Sequence, residues 1–160
     1  MQQPIVISGA GILGCYISCA LSLQGIDSIV LEKKDDEVED SVRTITLNPF
    51  SKNLLDKIGI ENDYSMINKM EVKDFDGTGK IVFKSSEIGM NHLAYVSDFA
   101  ALLMAVRKKA SEKILYKEEI IDIDNKGDLN EVTLLSGKVI KTNLIISSDG
   151  KNSKLANKIP

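Results

Sequence analysis

The fold of this chain is decided by residues 4–14, which read Pro4-Ile5-Val6-Ile7-Ser8-Gly9-Ala10-Gly11-Ile12-Leu13-Gly14. The apolar run at 4–7 predicts a buried strand, and the amphipathic pattern from residue 12 onward predicts a helix. Glycines at the first, third and sixth positions of the intervening turn are typical of a strand–turn–helix unit that binds a dinucleotide.

Each of the three glycines has a physical reason to be there. Gly9 permits a tight turn, Gly11 lets the backbone approach a pyrophosphate, and Gly14 lets the helix pack against the strand. The helix N-terminus adds free N–H groups and partial positive charge. We therefore predict that all six motif residues contact a cofactor; the alternative is a βαβ unit whose glycines serve packing alone.

An acidic residue stands where such a motif requires one. Residues 28–31 predict a second strand, and Glu32 follows Gly14 by eighteen positions. Its carboxylate can accept hydrogen bonds from the adenosine ribose, and its charge argues against the 2′-phosphate of NADP. Lys33 comes next and is a further candidate contact. The charged residues 33–40 predict a solvated loop.

Bulk properties restrict the function classes. The 160 residues suit one domain, or one domain and a fragment of another, and 43% apolar with 27% charged residues is a globular composition. A net charge of −3 without a basic patch gives no support for nucleic-acid binding. No apolar run is long enough for a bilayer, and the N-terminus has no basic leader, so we expect a cytoplasmic protein.

No metal site is expected. Cys15 and Cys19 are the only cysteines, and their spacing on one helix predicts small, buried packing residues. His92 is the only histidine, without a nucleophile pattern around it, and we interpret it as structural or as a surface residue.

The remaining pattern alternates between helices and short strands. Two helices are predicted, at 49–58 and at 97–110, and Ser51 is the predicted cap of the first. A hairpin is predicted from 70–75 and 80–83. Short strands are predicted at 114–116, 119–123, 132–135, 139–140 and 144–146.

Two further candidates follow predicted elements. Asp149 and Gly150 end the last predicted strand, and in a parallel sheet they would lie at the same edge as Gly9, where ligands bind; the alternative is an ordinary turn. Arg43 either clamps a phosphate with its planar guanidinium or neutralises the acidic loop before it.

The order of these parts resembles the FAD-dependent aromatic hydroxylases of the para-hydroxybenzoate hydroxylase type. The residues that carry the resemblance are the motif at 9–14, Glu32, the stretch 43–60 and the segment Ser147–Leu155. Within that family, 43–60 is similar to the 2-polyprenylphenol hydroxylases of ubiquinone biosynthesis. The fold implied is α/β, a Rossmann-like FAD-binding βαβ domain (1–64 and 92–160) with a β-meander and a partial β substrate-domain excursion at 65–91.

The resemblance implies roles for individual residues. The motif glycines would hold the FAD pyrophosphate, Glu32 the ribose, and Arg43 the flavin nucleotide. Asp149 and Gly150 match a motif linked to FAD and to the nicotinamide reductant. Two departures stand out: Ser147-Ser148 replaces the usual Gly-Ala, and the Arg often found after the motif is absent, with Ala156 near its place.

The function implied is the hydroxylation of an aromatic, polyprenylphenol-like ring by FAD, with NAD(P)H as reductant. The chemistry belongs to the cofactor, so no catalytic residue is predicted. The alternatives are a stand-alone FAD- or NAD-binding module and an inactive remnant.

Family members continue well past this last motif. We therefore expect the chain to correspond to the N-terminal part of such an enzyme, unable to hydroxylate by itself. A C-terminal partner chain or self-association would cover exposed apolar surface. A lipid substrate would add peripheral membrane contact.

Overall fold

The computed structural model describes residues 3–38 and 42–150. They form two compact units, one of Met1–Glu39 with Leu103–Pro160 and one of Asp40–Leu102. Along the chain the strands and helices are β1 (Ile5–Ser8), α1 (Ile12–Leu23), β2 (Ser28–Glu32), β3 (Thr44–Leu47), α2 (Pro49–Lys57), β4 (Ser65–Ile67), β5 (Lys69–Lys73), β6 (Lys80–Lys84), β7 (Ala94–Asp98), α3 (Phe99–Lys109), β8 (Ile114–Tyr116), β9 (Ile120–Asn125), β10 (Asn130–Leu134), β11 (Val139–Thr142) and β12 (Ile145–Ser147).

The first unit is built on a parallel sheet with strand order β12-β1-β2-β8. Val6 lies opposite Ile29 on one side and Ile145 on the other, so β1 is central. Strands buried on both faces need apolar runs, which β1 and β2 supply. The order β1-α1-β2 is the predicted βαβ unit, and the α/β prediction is confirmed.

A three-stranded antiparallel meander, β9-β10-β11, belongs to the same unit. Its inward side chains pack against the parallel sheet in one apolar core made of Val6, Leu31, Val132, Leu134 and Ile140. Burying each of these side chains stabilises the fold by about 1.5–3 kcal/mol. The meander was predicted, although β10 and β11 extend beyond the predicted bounds.

The second unit holds an antiparallel sheet of order β3-β7-β4 and the separate hairpin β5-β6. The hairpin confirms the prediction, with Val72 opposite Ile81. The three strands of the sheet were not predicted. Strands β3 and β7 pair with each other and belong to the same compact unit as the hairpin. The predicted domain bounds, 1–64 with 92–160 and 65–91, stay a prediction.

The cap predicted for α2 was wrong. Asn48 is the N-cap, since its side-chain oxygen accepts a hydrogen bond from the Ser51 N–H at 2.8 Å. Asparagine is among the preferred residues at that position. Similarly, the Asp98 carboxylate accepts a hydrogen bond from the Ala101 N–H at 2.7 Å, so α3 begins at Phe99 rather than at 97.

In the ranges 3–38 and 42–150, no helix has the length and apolarity needed to cross a membrane.

Candidate dinucleotide site

A cleft of about 300 Å³ lies at the carboxyl ends of β1, β2 and β12, in the first unit. This is the edge of a parallel sheet at which ligands bind in folds of this kind. Its walls come from the glycine turn, the end of β2, the segment before β9 and the end of β12. They consist of Ser8, Gly9, Gly11, Leu31, Glu32, Lys33, Glu118, Glu119, Ile120, Ser148, Asp149 and Gly150.

Two glycines of the turn are required by the protein itself. Gly9 has φ +99°, and a Cβ atom there would lie 2.8 Å from the carbonyl oxygen of Ser148. A Cβ atom on Gly14 would lie 2.0 Å from the carbonyl oxygen of Gly9. The turn, the first turn of α1 and the end of β12 therefore approach each other too closely for any side chain.

Gly11 differs from Gly9 and Gly14 in its backbone conformation and in the space around it. Its backbone is extended, with φ −75° and ψ 179°, which any residue adopts, and a Cβ atom there would meet nothing within 4 Å. Neither backbone strain nor packing inside the protein requires glycine here. The open space faces the cleft and adjoins the N-terminus of α1, where unpaired N–H groups favour an anion. A glycine that the fold does not need fits close approach by a ligand.

The carboxylate of Glu32 reaches back to the glycine turn. Its Oε2 accepts a hydrogen bond from the Ala10 N–H at 3.0 Å, and its Oε1 accepts one from the Lys34 N–H at 3.1 Å. The Ala10 carbonyl accepts a further hydrogen bond from Nε of Arg107 at 2.9 Å. Both polar backbone atoms of Ala10 are thus bonded to side chains of the protein.

Arg107 is a site residue that was not among the predicted ones. It lies on α3, and its Nη2 is 3.4 Å from Oε2 of Glu32. The ring centroid of Tyr116 lies 5.7 Å from its guanidinium carbon. One signal was present in the sequence: Arg107 follows Leu103 by four positions, at the border of the buried face of the helix.

The two serines that depart from the family pattern have different partners, and Ser148 ties the end of β12 to the turn. Ser148 Oγ donates to the carbonyl oxygens of Ser8 at 2.8 Å and of Gly9 at 3.0 Å. Ser147 Oγ donates to the carboxylate of Asp149 at 2.6 Å. The orientation of Asp149 at the cleft is therefore set partly by Ser147.

The structure brings most of the predicted cofactor contacts together. Six of them line the cleft, namely Gly9, Gly11, Glu32, Lys33, Asp149 and Gly150. Ala10, Ile12, Leu13 and Gly14 lie beside it in the turn and the first helical turn. The roles of all these residues stay predictions. The rest of the predicted segment after Gly150 lies outside the described residues.

Arg43 belongs to the second unit. Its guanidinium carbon lies 4.2 Å from the ring centroid of Phe99, and its carbonyl accepts a hydrogen bond from the Phe99 N–H at 3.0 Å. The guanidinium is exposed and stacked on an aromatic face, an arrangement that stabilises a cation. Its predicted contact with a flavin nucleotide stays a prediction.

Burial controls the titration of two groups near the turn. Burial raises the pKa of the Cys15 thiol to about 12, against a smaller opposing effect of Arg107. Burial also raises the pKa of Tyr116, again opposed by Arg107. Both side chains are therefore neutral at pH 7. Cys15 and Cys19 are buried, as predicted, and both are free thiols.

The predicted histidine role also agrees with the structure. His92 Nδ1 lies 2.6 Å from the side-chain oxygen of Asn68, and its ring makes an edge contact with Tyr95. Across the described part of the chain, no group of three or more His, Cys, Asp or Glu residues is placed to hold a metal ion.

Comparison with protein families gives one match over nearly the whole chain, to the FAD binding domain, at residues 2–160. Among curated proteins, the ubiquinone biosynthesis monooxygenase COQ6 of Danio rerio is 26% identical over 93% of this chain and 36% of its own length. The 3-demethoxyubiquinol 3-hydroxylase of Escherichia coli is 26% identical over 96% and 43%. The 3-hydroxybenzoate 6-hydroxylase 1 of Aquipseudomonas alcaligenes is 29% identical over 99% and 43%.

Solved structures show the same fold. A mutant of PqsL from P. aeruginosa superposes with a TM-score of 0.83 at 20% identity, over 99% of this chain and 46% of that one. The p-nitrophenol 4-monooxygenase PnpA from Pseudomonas putida gives 0.79 at 16% identity, over 98% and 43%. The chain spans about two-fifths of the length of the curated relatives it matches.

Proposed function

Because the chain belongs to the FAD-binding domain family of flavin-dependent monooxygenases, we propose that its cleft binds the ADP half of FAD and that the protein serves the hydroxylation of an aromatic ring. FAD, when bound, supplies the redox chemistry. The contribution of this chain is to bind and orient the cofactor.

The observation that carries this proposal is Gly11. It has no Cβ, its backbone needs no glycine, and the space that a Cβ would fill is open toward the cleft. A pyrophosphate in that space would meet the N–H groups of the first turn of α1 and the positive end of its dipole. The absence of an acidic residue from that first turn favours an anion as well.

The remaining cleft residues suit the other parts of the ligand. Glu32 Oε1 accepts one hydrogen bond, from the Lys34 N–H, and so keeps acceptor capacity for a ribose hydroxyl. Lys33 adds a positive charge among the acidic side chains of Glu32 and Asp149. For Asp149 and Gly150, which line the cleft just after β12, we propose contact with the part of FAD beyond the pyrophosphate.

The substrate class is proposed from the relatives. One of them is named for ubiquinone biosynthesis, one for the 3-hydroxylation of 3-demethoxyubiquinol and one for the 6-hydroxylation of 3-hydroxybenzoate. Two of the names state the hydroxylation of an aromatic compound, and the first and second both refer to a ubiquinone-type molecule. We therefore propose a polyprenylphenol-like substrate in ubiquinone biosynthesis, with NADH or NADPH as the reductant.

Calorimetric titration of the purified chain with FAD, and with NAD in parallel, tests the cofactor. We expect micromolar binding of FAD and none of NAD, and loss of FAD binding in Gly11→Val. The thermal midpoint of Gly11→Val, measured alongside, should stay near that of the unaltered chain because, apart from its two chain neighbours, no residue has an atom within 4 Å of the new Cβ. Equal binding of NAD would favour a general dinucleotide module, and binding of neither ligand would favour an inactive remnant.

The absorbance spectrum of bound flavin tests the substrate class. A 2-prenylphenol should perturb the flavin bands of the FAD-loaded chain, and the matching prenylated cyclohexane should not. Addition of NADH or NADPH without oxygen then identifies the reductant, because reduction bleaches the flavin. Identical spectra with the phenol and with its cyclohexane analogue, in a chain that calorimetry shows to bind both compounds, would contradict the proposed substrate.

A further inference from the structure

Arg107 makes two polar contacts with residues that are distant in the sequence, 97 and 75 positions away, and none of the motif residues predicts them. Its guanidinium connects α3 to the glycine turn through Ala10 and to the end of β2 through Glu32. The side chains of Arg107 and Glu32 are only 11% and 12% exposed. This is therefore a nearly buried ion pair rather than a surface one.

The two oxygens of the Glu32 carboxylate are used differently. Oε2 is shared by the Ala10 N–H and Arg107, which together fix the plane of the carboxylate. Oε1 accepts the N–H of Lys34 on an exposed stretch of backbone. A carboxylate has about four lone-pair sites, so one acceptor position is left, and the carboxylate lies in the wall of the cleft.

The charges around Glu32 explain why the orientation of its carboxylate depends on Arg107. Among the residues that the structure describes, the cleft wall carries four carboxylates, those of Glu32, Glu118, Glu119 and Asp149, and one lysine, Lys33. Without the guanidinium, Glu32 would be a nearly buried charge without a counter-ion next to other acids, and it would turn toward water. The Tyr116 ring, on which the guanidinium lies, keeps Arg107 itself in place.

We infer that Arg107 is a positioning residue that holds the Glu32 carboxylate so that it accepts hydrogen bonds from the ribose hydroxyls of the cofactor. It acts without touching the cofactor, through the ion pair and the Ala10 carbonyl. This inference rests on the proposed function, because it assumes that the cleft binds an adenosine ribose.

The test is the ratio of two affinities rather than one affinity. ADP and 2′,3′-dideoxy-ADP differ only in the ribose hydroxyls. The ratio of their two affinities therefore isolates the contact with Glu32 from the rest of the site. We expect the unaltered chain to bind ADP about tenfold more tightly, as is typical of a charge-assisted hydrogen bond. Arg107→Gln should bring the ratio close to one, as Glu32→Gln should, and the double variant should lose no more than either.

The matched control is Lys108→Gln, which removes one positive charge from an exposed neighbouring position of the same helix. It should keep the full ratio. Arg107→Lys preserves the charge without the planar guanidinium and should give an intermediate ratio. If Arg107→Gln fails to melt cooperatively, the Arg107→Lys ratio decides the matter.

The outcomes separate the inference from the proposed function. A folded Arg107→Gln chain that still prefers ADP tenfold would overturn the positioning role and leave the cofactor proposal standing. An Arg107→Lys ratio equal to that of the unaltered chain would do the same. An unaltered chain that binds neither FAD nor ADP would overturn both.

Discussion

The carbonyl oxygen of Gly9 lies where a Cβ atom on Gly14 would come within 2.0 Å of it. The same Cβ atom would lie 2.6 Å from Oγ of Ser148. Real Cβ atoms essentially never approach another heavy atom closer than 3.0 Å. At position 14 there is therefore room for a hydrogen atom but not for a side chain, whereas a Cβ atom on Gly11 would meet nothing within 4 Å.

This difference predicts opposite results for two glycines of one motif. Gly14→Ala should lower the free energy of unfolding by about 3 kcal/mol, because the clash is with backbone that cannot move alone. Gly11→Ala should change it by less than about 1 kcal/mol, because a gain from the stiffer unfolded chain is offset by the poorer capping of alanine. Urea denaturation of both variants measures the two values.

The prediction depends on the difference between the variants. Equal destabilisation by the two substitutions would show that the close approach at Gly14 is not the reason for that glycine. A stable Gly14→Ala chain would show that α1 can shift away from the turn.

Ser148 offers a prediction about the departure from the family pattern. Ser148→Ala removes the hydroxyl that donates to the carbonyls of Ser8 and Gly9, and it restores the alanine usual in the family. We expect a loss of about 1 kcal/mol in the free energy of unfolding, the net worth of an intramolecular hydrogen bond. Ser136→Ala, at an exposed turn position, is the control and should change stability by less than about 0.5 kcal/mol. An effect no larger than that of the control would mean that the hydroxyl bonds equally well to water.

What the sequence predicts best here is local. The strand, the glycine turn, the helix and the acid at the end of β2 lie within 28 residues, from Ile5 to Glu32, and each follows from apolar period or turn chemistry. The hairpin β5-β6 is equally local, since a turn joins its two strands.

What the sequence does not predict depends on distant partners. Arg107 and Glu32 are 75 positions apart, and only the packing of α3 places them together. The strands β3 and β4 have three or four residues each, too few for an alternating pattern, and both owe their existence to pairing with β7. The cap of α2 was missed because Ser51 was chosen by residue type alone, whereas Asn48 directly precedes Pro49, and proline favours the first helical position.

The corrected cap of α2 can be tested directly. Asn48→Ala removes the acceptor of the Ser51 N–H and should cost about 1 kcal/mol of stability. Ser51→Ala should cost less than about 0.5 kcal/mol, because only the backbone of Ser51 takes part in the cap. The midpoints of thermal unfolding of the two variants provide the comparison. A larger loss of stability for Ser51→Ala would indicate that Ser51, the cap predicted from the sequence, is the N-cap of α2.

Burial of the two cysteines predicts their chemistry. The pKa of Cys15 is raised to about 12 by burial, and that of Cys19 is raised for the same reason. An unfolded thiol has a pKa of about 8.5, so at pH 8 the thiolate fraction of Cys15 is roughly a thousandfold lower in the folded chain. Iodoacetamide should therefore modify neither cysteine of the native chain on the timescale in which it modifies both in urea, with mass spectrometry to count the adducts.

The pH dependence of the alkylation rate shows in which direction the pKa of Cys15 is shifted. In a Cys19→Ser chain, the rate at Cys15 should keep rising between pH 8 and pH 10, where an ordinary thiol levels off. Since the folded pKa lies above the unfolded one, the thiol also favours the folded state below about pH 8.5. That contribution falls progressively as pH rises from about 8.5 toward 12, because only the unfolded thiol ionises there. A native alkylation rate that levels off near pH 8.5 would show that Cys15 is accessible and that the packing of α1 against β1 is looser than the structure has it.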